Sequence, residues 1–361
     1  MSDPRWLVSP AFDLGLLLGP ALLAVALGFA VPPHTALPGW GYVALVLAID
    51  VAHVYASLWR TYLDPEERRR RPLLLALTPL AVLVATSALF GASPGWFWTA
   101  MAYLAVYHFV RQQMGFQILY RLRAGLPMGT WDARVERWLV YGVTLFPVLW
   151  WHVHLPRSFD WFMPGDFLPG LPAGVLAPAA LALGALAVAH LGFRLRSGVW
   201  TPGRDLWLAT TAAVWFGGIV LTDADLAFTL SNVVAHGVPY LALVAWTVHR
   251  KWVLTGRGPG RPGWFVGLGA AAFLAPLLGL AFVEEALWDV FVWGDHPGLF
   301  GDWGVEAVMT HWLVPVLSVP QVTHYVLDGF IWKMGDANPG LKGWVLGTQP
   351  ATISRRVQPS T

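Results

Sequence analysis

Long apolar runs separated by short polar segments dominate the sequence. A transmembrane helix needs about 20 predominantly apolar residues, and about ten segments of the chain approach that length. The pattern therefore predicts an all-α fold, a polytopic integral membrane helix bundle with about ten transmembrane helices. The predicted spans are Phe12–Val31, Trp40–Trp59, Leu73–Phe90, Trp96–Leu119, Trp138–Leu155, Ala173–Phe193, Leu206–Leu221, Leu226–Val248, Trp264–Val283 and Val305–Trp332.

Positive charges are distributed unevenly between the loops. Arg or Lys occurs in every loop after an even-numbered span, as in Asp64–Pro72, whereas the loops after odd-numbered spans hold mainly Asp and Glu. Because positively charged loops stay in the cytoplasm, we predict that both termini are cytoplasmic. The acidic segment Glu284–Gly304 is then expected outside, with Glu284, Glu285 and Asp289 on a solvated surface.

Composition agrees with a membrane location. Of 361 residues, 56% are hydrophobic and 12% are charged, against about 25% charged in soluble domains. We expect one transmembrane domain over residues 1–334, a polar tail over 335–361, and a bacterial-type inner (plasma) membrane. The bilayer is the expected partner, and the net charge of +2 does not indicate nucleic acid. The absence of cysteine excludes disulfides, thiolate ligands and c-type haem.

Four of the apolar spans carry a histidine with polar neighbours three or four residues away. Residues at that spacing share one face of a helix. The spans with these histidines all run in the same direction, and the histidines lie at overlapping depths, so we predict that they surround one pocket. The sets are Asp50 with His53, His108 with Arg111 and Gln112, Asn232 with His236 and Tyr240, and Gln321 with His324 and Asp328.

A metal ion explains these sets, because a carboxylate at membrane depth costs about 2.5 kcal/mol or more without compensation. Imidazole and carboxylate without thiolate favour iron, with zinc, manganese or copper as alternatives. The predicted metal ligands are His53, His108, His236, His324 and Asp328. The predicted catalytic residues are Asp328, Tyr240 and Arg111. The residues predicted to orient the ligands or bind the cofactor are Gln112, Asn232, Asp50 and Gln321.

The remaining histidines and the prolines complete the picture. His152 and His154 are expected at the outer end of the fifth span, facing the membrane interface. Pro239 and Pro320 lie close to His236 and His324 and are expected to kink their helices. One histidine on each of several apolar helices resembles the organisation of the membrane carotene-cleaving oxygenases, although the early paired-histidine segment of that family is absent.

We therefore predict a membrane-embedded non-haem metal oxygenase or oxidase that acts on an apolar, lipid-like small molecule. Two alternatives use the same residues. A b-type haem electron carrier would take histidines as axial ligands, and the spacing of thirteen between His311 and His324 suits that arrangement. A proton- or metal-coupled transporter would use the polar residues as a relay.

Overall fold

A computed structural model describes residues 3–256, 269–301 and 310–347. Within these ranges the protein is helical and contains no strand. The helices are α1 Pro10–Gly28, α2 Gly39–Arg60, α3 Pro65–Arg70, α4 Pro72–Ala92, α5 Pro94–Arg123, α6 Trp131–Val153, α7 Ala173–Ser197, α8 Pro202–Trp215 with a π-helical continuation Phe216–Leu221, α9 Asp225–Thr255, α10 Gly269–Trp293, α11 Pro297–Phe300, α12 Thr310–Leu317, α13 Val319–Ile331 and α14 Leu341–Leu346.

The all-helical prediction is confirmed for the described residues. Six helices there are long and apolar enough to cross a membrane, namely α1, α2, α4, α7, α9 and α10. Several predicted features lie outside the described residues. These are the start of the ninth span at Trp264, the start of the tenth at Val305, the loop residues Arg257, Arg261 and Asp302, and residues 348–361 of the tail.

Helix ends follow local chemistry. Asp64 caps α3, since its Oδ1 accepts from the backbone N–H groups of Glu66 and Glu67 at 3.0 and 3.4 Å, and Pro65 suits a first helical position, which needs no backbone donor. Gly198 and Gly294 end α7 and α10 with φ of 61° and 67°, a left-handed conformation that glycine adopts without a Cβ clash.

The chain forms two compact units. The first unit contains the described residues of Met1–Leu45 and Gly95–Pro239, and the second contains those of Val46–Pro94 and Tyr240–Thr361. The division falls within α2 and α9, so each of these helices contributes to both units. The prediction of a single transmembrane domain over residues 1–334 remains a prediction.

Aromatic rings fill the core of the first unit. Trp151 is fully buried and meets Phe228 edge-on at 5.2 Å between ring centroids, while Phe159 stacks on Phe228 at 4.6 Å. Such pairs stabilise a core beyond the area they bury. At the N-terminal end of α6, Glu136 and Asp132 accept from the buried Arg121 of α5, at 2.6 and 2.5 Å.

The core of the second unit follows helical spacing. The buried residues Tyr240, Val244 and Val248 lie at intervals of four on α9, as do Phe273, Leu277 and Ala281 on α10. Side chains four apart form one ridge of a helix, and two such ridges pack together. The same unit also contains an ion-pair cluster, in which the Lys251 ammonium contacts Asp64 at 2.6 Å and Glu66 at 2.9 Å.

The loop after α6 is held by Asp223. Its Oδ1 accepts from Arg157 Nε at 3.0 Å and from the Ser158 backbone N–H at 2.9 Å. Burial by itself would raise the pKa of Asp223, but these donors hold that pKa below its usual value.

The predicted tenth span is interrupted at Ser318, where α12 ends and α13 begins. Pro320 lies in the first turn of α13, where its missing backbone N–H leaves no hydrogen bond unmade. The proline therefore starts a new helix that carries His324 and Asp328, instead of kinking a continuous span.

The acidic segment after α10 differs from the prediction. Helix α10 continues to Trp293 through a π-helical turn, and Glu284, Glu285 and Asp289 are 8, 7 and 2% exposed. The expectation of a solvated surface is wrong for these three residues. Within the unit their partners replace water, since Glu284 accepts from the Tyr55 hydroxyl and Asp289 accepts from the His296 backbone N–H at 2.8 Å.

Gly218 provides a test of packing in the first unit. A Cβ at this position would collide with the Ser231 hydroxyl and approach Asn232 Nδ2 to 2.8 Å. We expect Gly218→Ala to lower the free energy of unfolding by about 1–3 kcal/mol, because overpacking displaces neighbours. Thermal unfolding in detergent measures this change.

Gly192→Ala on α7 is the matched control, because a Cβ there has nothing within 4 Å. It should leave stability unchanged or slightly raised, since alanine favours helix. Equal unfolding curves for both variants would contradict the close approach of α8 and α9 at Gly218.

Candidate metal centre

Two histidines meet in the second unit, His53 from α2 and His324 from α13. Their ring centroids are 5.1 Å apart with the planes at 82°, and a ring nitrogen of each lies within 4.8 Å of one from the other. The exposed fractions are 2 and 1%. Two imidazole nitrogens that bind one ion at about 2.1 Å each lie at most about 4.2 Å apart, so the two rings lie near the separation that a shared ion requires.

Each of these histidines faces an aspartate on its own helix. His53 Nδ1 lies 3.6 Å from Asp50 Oδ1, and His324 Nδ1 lies 3.7 Å from Asp328 Oδ1. These distances exceed hydrogen-bond length, but a nearby carboxylate still favours a proton on Nδ1. In that tautomer Nε2 carries the lone pair that can bind a metal ion, and the carboxylate orients the ring. The predicted pairings of Asp50 with His53 and of His324 with Asp328 are therefore brought together.

Tyr240 from α9 completes this cluster. Its hydroxyl donates to Asp328 Oδ1 at 2.6 Å, a length typical of a hydroxyl bound to an ionised carboxylate. Its ring stands edge-on to His53 and His324, at 5.6 and 5.2 Å between centroids. Tyr240 thus contacts a carboxylate and both imidazoles of this pair, and it is 2% exposed.

The first unit contains a second imidazole pair. The rings of His108 on α5 and His236 on α9 are 5.0 Å apart at 76°, and Phe109 stacks on His236 at 3.6 Å. Gln112 Nε2 donates to the His236 backbone carbonyl at 2.7 Å. Gln112, predicted to orient a ligand beside His108, contacts the backbone of His236 and not a ring, and its role remains a prediction.

The other predicted site residues have local partners. Asn232 Nδ2 donates to the Phe228 carbonyl at 3.2 Å, and Gln321 Nε2 donates to the Tyr325 hydroxyl at 2.8 Å. Arg111 is exposed, and its Nη1 donates to the Tyr141 hydroxyl at 2.7 Å. Asn232 and Gln321 are thus held along their own helices, whereas Arg111 joins α5 to α6.

Sequence reasoning missed Arg60 and Trp332, which adjoin Tyr240 in the second unit. Arg60 is only 5% exposed, donates to the Ile331 carbonyl at 2.9 Å and lies 4.9 Å over the Trp332 ring. Trp332 meets Tyr240 edge-on at 6.0 Å. An arginine and a tryptophan at span ends resemble interface anchors in the sequence, so the pattern gave no signal for this packing.

The prediction for His152 is wrong. This residue is 7% exposed and lies in the first unit against Tyr103. His152 Nδ1 contacts the Val148 carbonyl at 2.7 Å, so Nδ1 carries the proton and Nε2 accepts from the Tyr103 hydroxyl at 2.7 Å. By contrast His154 is exposed and stacks on Trp150 at 3.9 Å, as an interfacial residue does.

Comparison of the chain with models of protein families, with curated proteins and with solved structures gives no match.

The Tyr240–Asp328 contact can be tested by Tyr240→Phe. This change keeps the ring and removes a charge-assisted hydrogen bond, so we expect the free energy of unfolding to fall by about 1.5–3 kcal/mol. Chemical or thermal unfolding in detergent provides the measurement.

Tyr62→Phe is the control within the same unit, because the Tyr62 hydroxyl donates at 2.7 Å to a neutral acceptor, the Leu75 carbonyl. Its expected loss is about 0.5–1.5 kcal/mol. If the two variants lose the same amount, Asp328 does not act as an ionised acceptor.

Proposed function

We propose that this protein is a membrane-embedded non-haem metal oxygenase or oxidase, with iron as the metal and an apolar, lipid-like molecule as the substrate. The observation that carries the proposal is the buried pair His53 and His324, each beside an aspartate of its own helix. Zinc, manganese and copper are the alternative ions.

The donor set fits such a metal. His53 and His324 would bind through Nε2, with Asp50 and Asp328 beside the Nδ1 atoms to orient the rings. In the alternative role Asp328 would itself be an oxygen ligand, a hard donor that suits iron. Among the described residues the chain offers no thiolate, because it contains no cysteine, and this disfavours a soft metal such as copper(I).

His108 and His236 form the second part of the proposal. Their edge-on contact leaves ring nitrogens on a buried, aromatic surface of the first unit, and Gln112 steadies the carbonyl beside one of them. We propose both as further ligands. That all four histidines surround one pocket remains a prediction.

Bound iron would supply oxygen activation, and the chain would supply positioning and proton control. The Tyr240 hydroxyl donates to Asp328 at 2.6 Å, which would give the site a proton donor and a base beside the imidazoles. Trp332 packs edge-on against Tyr240, and Trp59 stacks on Phe273 in the core of the same unit; these rings supply an aromatic environment. They exclude water and favour an apolar substrate that arrives from the bilayer.

We further propose ten spans with both termini cytoplasmic, in a bacterial-type inner membrane. Besides the six helices named above, α5, α6, α8 with its continuation and the α12–α13 pair would each cross. Helices α5, α6 and α8 are less apolar, and α12 and α13 are each shorter than a full span. Helices α6 and α8 place their ionised residues near one end, as transmembrane helices do, whereas α5 carries Arg111 near its middle.

Reporter fusions at Arg69 and at Gly165 test this topology. Both positions are exposed, and the distribution of Arg and Lys places them on opposite sides of the membrane. We expect a cytoplasmic signal at Arg69 and an external signal at Gly165. The same side for both positions would overturn the ten-span arrangement.

Metal analysis and a visible spectrum of the purified protein test the proposed centre. We expect bound iron without a Soret band. Asp328→Asn keeps the shape of the side chain and removes its charge, so metal affinity should fall by about 10- to 100-fold. Asp295→Asn, at an exposed position outside the helices, is the matched control and should retain full occupancy.

The outcomes separate the alternatives. A Soret band would replace the non-haem centre with haem, and a metal-free wild type would refute the metalloenzyme. Full occupancy in Asp328→Asn with unchanged activity would assign Asp328 to the pairing with Tyr240, and ligation would then rest on the histidines.

A further inference from the structure

A cavity of about 300 Å³ opens in the first unit at the C-terminal end of α7. Its wall combines basic and acidic side chains with the apolar residues Leu126 and Phe193. This volume lies at the lower end of the range for small-ligand pockets, so it suits a headgroup and not a whole lipid. The charged residues of the wall are Asp132, Glu136, Arg194, Arg196 and Arg204.

Most of these charges are already paired. Glu136 and Asp132 contact Arg121, and Arg204 lies 3.7 Å from Glu136. Asp205 pairs with Arg194 and lies 3.5 Å from Arg204. Three arginines, Arg121, Arg194 and Arg204, thus meet three carboxylates, and a fourth arginine on the wall, Arg196, adds one positive charge.

Arg196 carries that excess charge. It lies on the cavity wall and is exposed. Within the described part of the chain its guanidinium makes no ion pair and no hydrogen bond. A cation that borders a cavity without a protein partner is available to an anionic ligand, and arginine binds phosphate oxygens in a bidentate manner.

The surroundings place the cavity at a membrane surface. Helix α7 is apolar enough to span a bilayer, and none of its residues is buried, so its sides are open to lipid. Trp131 precedes Asp132 and Trp200 follows Ser197 by three residues, and these tryptophans are 70 and 68% exposed. Exposed tryptophan at helix ends is typical of the membrane–water interface.

We propose that this cavity binds the phosphate group of an anionic phospholipid, with Arg196 as the principal contact and the acyl chains along α7. A phosphodiester carries one negative charge, which matches the single excess positive charge of the cluster. Basic pockets between transmembrane helices recognise anionic headgroups in this way. The site lies within the first unit and does not depend on the proposed metal centre.

Binding of lipid to the purified protein in detergent, measured by native mass spectrometry, tests this site. Phosphatidylglycerol should bind, and phosphatidylcholine with the same acyl chains should bind much more weakly because its headgroup has no net charge. Arg196→Gln should weaken phosphatidylglycerol binding by about five-fold, the effect of about one basic residue near the surface. Arg196→Lys retains the charge and should bind within about two-fold of wild type.

Arg137→Gln is the control, because Arg137 is exposed on α6 beside Glu136 yet does not line the cavity. It should bind phosphatidylglycerol as wild type does, and circular dichroism should show equal helix content in all variants. Equal binding of both lipids, or unchanged binding in Arg196→Gln, would refute the proposal. Complete displacement of phosphatidylglycerol by millimolar inorganic phosphate would also refute it, because the site would then recognise free phosphate and not a lipid.

Discussion

A polar group inside an apolar helix bundle must find a partner, because water is not there to supply one. The hydrogen bond from Tyr240 to Asp328 is the clearest case in this protein, at 2.6 Å between two side chains of different helices. It joins α9 to α13 and holds the tyrosine ring against His53 and His324. Without this bond, the half-buried carboxylate beside His324 would lose a hydrogen-bond donor, and the two imidazoles would lose the ring that packs against them.

The two imidazole pairs have nearly the same ring geometry but different surroundings. His53 and His324 each lie beside a carboxylate, which raises the basicity of the ring as a ligand. His236 instead stacks on Phe109, and its neighbour Gln112 contacts the backbone carbonyl. The carboxylates make the surroundings of His53 and His324 more favourable for a cation than those of His108 and His236. For this reason we place the proposed metal ion at His53 and His324.

Charge at the helix ends follows the same need for partners. Arg121 is 3% exposed and neutralises Glu136 and Asp132, and Lys251, also 3% exposed, neutralises Asp64 and Glu66. In the ion-pair cluster around the cavity of the first unit, the arginines outnumber the carboxylates by one. A structural ion-pair cluster thereby becomes a candidate lipid site, since the remaining charge at Arg196 faces a cavity and not a carboxylate.

The amino-acid sequence by itself determined the helical class, the approximate helix positions and the pairing of Asp50 with His53 and of His324 with Asp328. These follow from apolar run length and from spacing of three or four, which report neighbours on one helix. Tertiary structure decided which helix faces meet. It brought the Tyr240 hydroxyl to Asp328 and the His152 ring to Tyr103. It buried Glu284, Glu285 and Asp289 against partners such as Tyr55 and His296. It also placed Arg60 over Trp332 and divided the last predicted span at Ser318. Each of these depends on contacts between residues far apart in the chain, and the periodicity of a single helix carries no information about the neighbour against which its polar face will pack.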